Sequence, residues 1–561
     1  MIKKLYLPIL MALVIVASCG KLGKLSPEYF TTTPQVLEAV AGNVPVTING
    51  TFPEKYLKKK AVVEVTPVLK WDGGEARAES ATFQGEKIEG NGQTVIYKTG
   101  GNYTIKANFA YVPAMEKSEL YLEFKAKIGK KEVEIPAVKI ADGVIATSEL
   151  VNQTVEHSAT AVAQDAFQRI IKQAKEANIM YLVNTTNVRY SQLKSESLKE
   201  FNEAAKEINA DTKNKQLNNI EISAYASPEG AVDLNTRLAK GREASAEKYL
   251  NKNLKKAKIE TTVDAKYTSE DWDGFQELVS KSNIQDKDLI LRVLSMYQDP
   301  EQRETEIRNI SAVYKTLADE ILPQLRRSRL TLNYDLIGKS DAEIAQCVKE
   351  DPAQLNVEEL LYAATLTNNV NEKTAIYTKA TSMFPNDFRA YNNLSGLAYN
   401  NGDMATAKSM AKKAASMNAA SPEVNMNLGL IALAENNVDA AETYLAKAAG
   451  AKGLNEALGN LYIKQGNYEK ACNAFGDTKS NSAAIAQILS KDYNKAKATL
   501  SNVDAPDAYT AYLTAVLGAR TNNSTMVTTN LKKAVAMDAS LAEKAMNDLE
   551  FSKFAVDTIV K

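Results

Sequence analysis

Between residues 360 and 480 the chain repeats itself. Leu394 and Leu428 stand 34 residues apart, and Ala398 and Ala432, Ala407 and Ala441, Ala414 and Ala448 keep the same interval. One period earlier come Leu360, Ala364 and Ala380, with Pro385 soon after as a helix stop. After a spacing shortened by four, Leu458, Gly459, Tyr462, Gly466, Ala471 and Phe475 continue the series. Small residues at fixed places let two antiparallel helices touch, and the large ones fill the space between neighbouring pairs. Such a unit cannot bury its apolar face alone, so repetition dictates stacked helix pairs: an all-α solenoid over 350–561, with a generic helical bundle as the alternative. Its last part, 482–561, reads as degenerate repeats ending in a capping helix, "LAEKAMNDLEFSKF".

The opposite end carries a second strong signal. "MIKK", the short apolar run "LYLPILMALVIV" and "VASCG" form a secretory signal peptide over 1–18, too short for a comfortable membrane span. Val16-Ala17-Ser18-Cys19 resembles the lipobox of bacterial lipoproteins. The resemblance implies cleavage before Cys19, acylation (palmitate among the chains) of the new N-terminus, and a short lipidated linker over 19–26. Several acyl chains give stable anchoring without a spanning helix. "CGKLGKLS" has no acidic run, which favours a periplasm-facing protein.

With 561 residues, three or four domains are expected. Lys+Arg and Asp+Glu are both 68, and losing residues 1–18 removes two lysines and no acid, so no net charge draws in nucleic acid. One histidine (His157) and three cysteines leave almost no material for a zinc or haem site, and no cofactor or metal is expected. Cys347 and Cys472 read as free thiols in helices, although the compartment allows a disulfide.

Residues 27–148 read as an all-β sandwich of immunoglobulin-like type, from short β-branched and aromatic runs such as "AVVEVTPVLKW" and "NYTIKANFAYV". Residues 150–340 read as α+β. "ATAVAQDAFQRIIKQAKEA" (159–177) has the pattern of an amphipathic helix and "IMYLV" of a strand. The helix in "SESLKEFNEAAKEINA" has Ser197 and Glu200 at capping-box spacing. Strands "NNIEISAYA", "IETTVDAKY" and "RRSRLTLNYDLIG" follow, with a long helix after the first and a helical insertion before the last. Helices on one face of a mixed sheet result.

Two resemblances become specific here. The 34-residue pattern is similar to the tetratricopeptide repeat (TPR), whose concave face holds extended peptides or proteins. Asn392, Asn393, Asn425 and Asn427 lie on first helices at corresponding places, where they would line that groove and bond a peptide backbone or, alternatively, be exposed polar filler. Strand, turn and "NTRLAKGR" resemble the C-terminal domain of OmpA and of peptidoglycan-associated lipoproteins, which carries T-D-x-x-G followed by N-x-x-L-S-x-x-R-A. Gly230, Asn235, Leu238 and Arg242 fall on that pattern, and Ala239 replaces the preferred serine. The resemblance implies an Arg242 fork onto the carboxylate of a peptidoglycan diamino acid. The aspartate expected to pair with its ammonium is Ser227, in "SPEG", with Glu229 two residues on as a substitute. A hydroxyl accepts a hydrogen bond but supplies no countercharge.

Nothing in the sequence carries enzyme chemistry: there is no P-loop, G-x-S-x-G, H-E-x-x-H or paired Cys-x-x-Cys. Trp272 in "SEDWDGF" is a sugar platform or, more simply, a pin for the insertion. The expectation is a non-enzymatic, lipid-anchored scaffold of the outer membrane, facing the periplasm. It contacts peptidoglycan through the OmpA-like domain and recruits secretion, fimbrial or outer-membrane assembly proteins through the repeats. The alternative is a protein-only scaffold whose α+β domain has lost the wall; a wall-modifying enzyme is a third reading.

Overall fold

The computed structural model describes residues 22–154, 158–284 and 287–560. The expected signal peptide, Cys19 and His157 lie outside the described residues. The chain forms two compact units: one runs to Gln164 and resumes at Thr367, the other spans Asp165–Leu366.

The first unit opens with a β module. Strands β1 (Phe30–Thr33), β2 (Leu37–Glu38), β3 (Asn43–Phe52), β4 (Ala61–Trp71), β5 (Gly74–Arg77), β6 (Ala81–Gly85) and β7 (Gln93–Val95) lead to β8 (Gly101–Ala110), β9 (Ser118–Ile128), β10 (Lys131–Asp142) and β11 (Val144–Ile145). They form a sheet β1-β3-β8, a larger sheet β10-β9-β4-β6-β7 with β5 beside β4, and a β2–β11 pair. Alternate residues of β3 (Val44, Val46, Ile48, Phe52) are buried, as period-2 patterning requires. They share one core with Val63, Phe83 and Leu122 of the other sheet; the Phe52 and Phe83 rings meet edge-on at 5.3 Å.

The remainder of this unit is helical. Pairs Phe388–Asn400 with Met404–Met417, Pro422–Ala434 with Val438–Leu445, and Leu454–Lys464 with Tyr468–Phe475 are followed by Asn481–Leu489 with Tyr493–Leu500 and Ala508–Arg520 with Ser524–Met537. Most first helices start from a side-chain cap: Asp387, Ser421, Ser480 and Asp507 each accept a backbone N–H of the first turn. The alanines of the repeat do what their size suggests. Ala407, Ala414, Ala441 and Ala448 are all fully buried where helices cross. Gly429 lies so close to the second helix of its pair that an added Cβ would meet Leu445 at 2.5 Å, and Gly459 would meet the Phe475 ring at 2.5 Å.

The second unit is a four-stranded sheet in the order β12-β15-β13-β14, made of β12 (Ile170–Met180), β13 (Lys215–Tyr225), β14 (Thr262–Thr268) and β15 (Arg327–Ile337). Only β13 and β14 pair in parallel, joined by the helix Val232–Ala257. That helix and Glu196–Ala210 cover one face. Leu198, Phe201, Ala246 and Leu250 pack on Ile220, Ile222, Leu330 and Leu332. Three short helices between Trp272 and Asn309 form a separate apolar cluster with Leu317–Leu325. Trp272 packs there, edge-on to Phe275 at 5.7 Å, as a pin for the insertion.

Three expectations are corrected. Residues 159–177 are not a helix: 158–168 are extended or bent and Ile170–Met180 is strand β12. Helix propensity is a weak prior, and backbone partners from elsewhere in the chain override it here. The N-cap of Glu196–Ala210 is Ser195, which accepts from Leu198 N–H, rather than Ser197. The α+β unit accordingly starts at Asp165 and not at 150, and it extends past 340 to Leu366. Cys347 and Cys472 are free thiols, each half-buried in a helix. No described helix is long and apolar enough to cross a membrane, and no described group of His, Cys, Asp and Glu could hold a metal.

Candidate functional site

In the first unit the expected peptide groove contains a peptide, and it is the chain's own. Residues 158–164 run extended across the first helices of the array, in the direction opposite to the repeats. Ser158 meets Asn460, whose Nδ2 donates to Ser158 Oγ at 3.0 Å. Ala161 meets Asn427: its N–H donates to Oδ1 at 2.8 Å, and its carbonyl accepts Nδ2 at 2.9 Å. Ala163 meets Asn393 in the same way, at 2.8 and 3.0 Å. From Asn427 to Asn393, one repeat back in the array is two residues forward along the segment, so these two asparagines imitate the residue opposite in an antiparallel ladder.

Asn392 completes the grip. Its Nδ2 donates to the Ala161 carbonyl at 2.9 Å, and its Oδ1 accepts from Asn427 at 3.0 Å. All three amides are buried, where an unpaired polar group is costly, and all three are paired. Asn425 differs. It is also buried, but its Nδ2 donates to the Ala419 and Ser421 carbonyls at 2.9 and 2.8 Å, closing its own helix start and not the groove.

The residues ahead of the segment are fixed firmly. Leu150 and Val151 belong to the core of the last repeats, and Ser482 donates to Thr154 at 2.7 Å. Lys464, nearly buried, donates to Asn152 and to Asn436, and burial lowers the pKa of its ammonium. The β module is joined to the array's end by polar contacts. Glu550 accepts from Thr147 at 2.5 Å and pairs with Arg520 at 2.6 Å, and Ser148 donates to the Ala39 carbonyl at 2.8 Å.

In the second unit the four expected wall-binding residues cluster around one turn and one helix, but their polar groups are taken. Ser227 donates to Glu229 Oε1 at 2.7 Å. The Glu229 carboxylate also receives the fork of Arg326, Nε to Oε1 at 2.8 Å and Nη2 to Oε2 at 2.9 Å. Such a bidentate pair is among the stronger contacts a carboxylate makes. Asn235 donates to the Gly230 carbonyl at 2.9 Å and to Glu270 at 3.1 Å.

Arg242 is 1% exposed. Its described hydrogen bonds all go to backbone carbonyls: Nη1 to Tyr225 at 2.8 Å, Nε to Thr185 at 3.1 Å and Nη2 to Leu182 at 3.4 Å. The guanidinium lies over the Tyr181 ring at 5.2 Å, and burial pulls its pKa down to about 10. Sequence reasoning placed Arg326 in an Arg-rich closing strand without seeing that it faces Glu229. The neighbouring buried pair, Arg327 with Asp271 at 3.0 Å, was missed altogether.

A family model described as tetratricopeptide repeat matches residues 388–421 and 454–476. The array is similar to a tetratricopeptide repeat protein from Parabacteroides merdae, at 17% identity over 35% of this chain and 85% of that one, with a TM-score of 0.29. It is also similar to pilF of Pseudomonas aeruginosa, at 14% identity over 39% of this chain and 100% of that one, with a TM-score of 0.29. PilW, a type IV pilus biogenesis factor, aligns at 16% identity over 35% of this chain and 92% of that one, with a TM-score of 0.27. No curated protein sequence matches the chain significantly. The helical region thus carries tetratricopeptide repeats, a scaffold for protein–protein interaction, behind a sheet-rich N-terminal region.

Proposed function

We propose that the chain is a lipid-anchored envelope scaffold, held by acyl chains on Cys19 in the outer membrane and facing the periplasm, which gathers protein partners on its repeats. The observation that carries the reading is the asparagine ladder of Asn392, Asn393 and Asn427, built to grip an extended backbone. Anchoring such a surface at a membrane raises the effective concentration of whatever it holds, so modest affinities suffice. Secretion, fimbrial or outer-membrane assembly proteins are the partners proposed.

For the α+β unit we take the OmpA-like fold without wall binding as the better supported of the two readings. Ser227 offers no countercharge for an ammonium, Glu229 is paired with Arg326, and Arg242 is spent on carbonyls. An enzyme finds little support: the close carboxylates Asp548 and Glu550 are partly buried and satisfied by Tyr512 and Arg520. The test is co-sedimentation of the full chain with isolated peptidoglycan sacculi. The chain is expected to stay in the supernatant at large sacculus excess. Pelleting that Arg326→Ala abolishes would restore the wall-tether reading. Arg242→Ala is the poorer variant, because three carbonyls would lose their donor in the interior.

A further inference from the structure

We propose that residues 158–164 are an exchangeable occupant of the repeat groove, one that shuts it to partners presenting an extended segment of small, uncharged residues. The proposal rests on the reading of the array as a partner-binding surface and adds how that surface is gated.

The chemistry of the grip shows what can replace the segment. Asn393 and Asn427 pair with both the N–H and the carbonyl of Ala163 and Ala161, groups that every residue except proline presents. The grip therefore reads backbone. Side-chain selection comes from space. Ala161 and Ala163 turn inward, 1% and 3% exposed, whereas Val162 between them is 47% exposed. Thr160 sits so close to the helix Phe388–Asn400 that a Cβ on Gly396 would stand 2.9 Å from its Oγ1. The segment "SATAVAQ" is uncharged, and the asparagines opposite it are neutral. A partner of the same chemistry, with alternate small residues and no charge on the inward side, meets every one of these conditions.

Exchange is feasible although the Ala161 methyl packs into the repeat core. The segment belongs to no helix or strand. Its central backbone groups are bonded to side-chain amides, and amides that lose their occupant are hydrated instead of left as an apolar void. The preceding turn Val151–Thr154 stays sunk in the array, so the released segment remains tethered and re-enters as an intramolecular competitor. Short tethers give effective concentrations on the order of 1 mM, so a free peptide with a dissociation constant of ~0.1 mM would be weakened roughly tenfold.

The experiment uses the full chain and a fluorescent peptide of sequence SATAVAQ, followed by anisotropy. The variant is Ala161→Pro with Ala163→Pro, which removes the two N–H donors that Asn427 and Asn393 accept. The expected result is binding at least about tenfold tighter than to the unaltered chain, lost when Asn393→Ala is added. A double-proline chain that melts cooperatively and does not bind the peptide overturns the proposal. Should the prolines prevent folding, amide exchange in the unaltered chain decides: excess peptide must accelerate exchange at Ala161 and Ala163, and unchanged rates overturn the proposal. Neither assay involves lipid or sacculi, so a failure here leaves the envelope reading to its own test.

Discussion

Replacing Asn427 by alanine tests the ladder at its centre, and the structure fixes the size of the effect. Truncation removes the acceptor of the Ala161 N–H, a donor to the Ala161 carbonyl and the partner of Asn392 Oδ1. The carbonyl keeps Asn392, but the N–H, on a residue 1% exposed, has nothing left. A buried unsatisfied donor costs about 1–3 kcal/mol and the lost amide–amide bond about 1 kcal/mol, so roughly 2–4 kcal/mol is expected. Asn425→Ala is the control, on the same helix and equally buried. Its side chain bonds only the Ala419 and Ser421 carbonyls, and Ser421 also accepts the Asn425 backbone N–H at 3.1 Å. That loss should stay near ~1 kcal/mol. At roughly 2–4 °C per kcal/mol, melting should separate the two variants by several degrees. Exchange at the Ala161 amide should rise at least about tenfold in Asn427→Ala, a factor equivalent to ~1.4 kcal/mol, and stay unchanged in Asn425→Ala. Equal melting shifts with unaltered Ala161 exchange in both would refute the cis ladder.

Two further perturbations address the frame around the groove. Burial raises the Asp548 carboxyl to about 6 despite hydrogen bonds from Tyr512 at 2.7 Å and from Glu550 N–H at 2.9 Å. The folded state therefore favours the protonated form: the group's contribution is complete below the unfolded value near ~4 and is lost as pH rises through about 6. On that account the chain should melt higher at pH ~5 than at pH ~7.5, by an effect on the order of 1 kcal/mol, and Asp548→Asn should flatten the difference; equal slopes in both proteins count against it. Gly459→Ala drives a Cβ to 2.5 Å from the Phe475 ring, whereas Gly429→Ala meets the end of Leu445, which can rotate away. The first should cost about 1–3 kcal/mol and the second less, read as melting temperatures; the reverse order would contradict the packing.

The repeats were legible because small residues recur where helices cross, and packing leaves little freedom at those places: Ala407 and Ala441 are fully buried, and a Cβ on Gly459 would meet the Phe475 ring. Three of the four groove asparagines were legible for a related reason, since polar residues on the inner helices of a solenoid need a partner. Asn425 carries the same residue type but faces its own helix start, a difference of a fraction of a helical turn that composition does not record. The occupant itself was hidden. Ala159 to Ala177 is rich in good helix formers, and its alternation of small residues at 159, 161 and 163 is short enough to pass as part of a helix. The bonds that decide its conformation come from residues more than two hundred positions away. The Glu229–Arg326 pair was hidden likewise, with 97 residues between its partners.

In each unit the expected binding residues are engaged from within, but the two engagements differ in how readily they reverse. At the turn, an incoming carboxylate would have to displace Glu229 from a bidentate pair whose side chains are only 14% and 19% exposed. Separating such a pair leaves a poorly solvated charge on each side, several kcal/mol that a ligand lacking a better geometry does not recover. In the groove, an incoming strand exchanges one set of neutral backbone bonds for an identical set, and the amides are hydrated in the interval. The net cost is the tether's advantage alone. Competition of that kind is overcome by concentration, which the proposed anchoring would supply, whereas the ion pair at the turn is overcome only by a change in the protein. On the proposed reading recognition therefore belongs to the groove, while Ser227, Glu229 and Arg242 of the α+β unit are held in internal contacts.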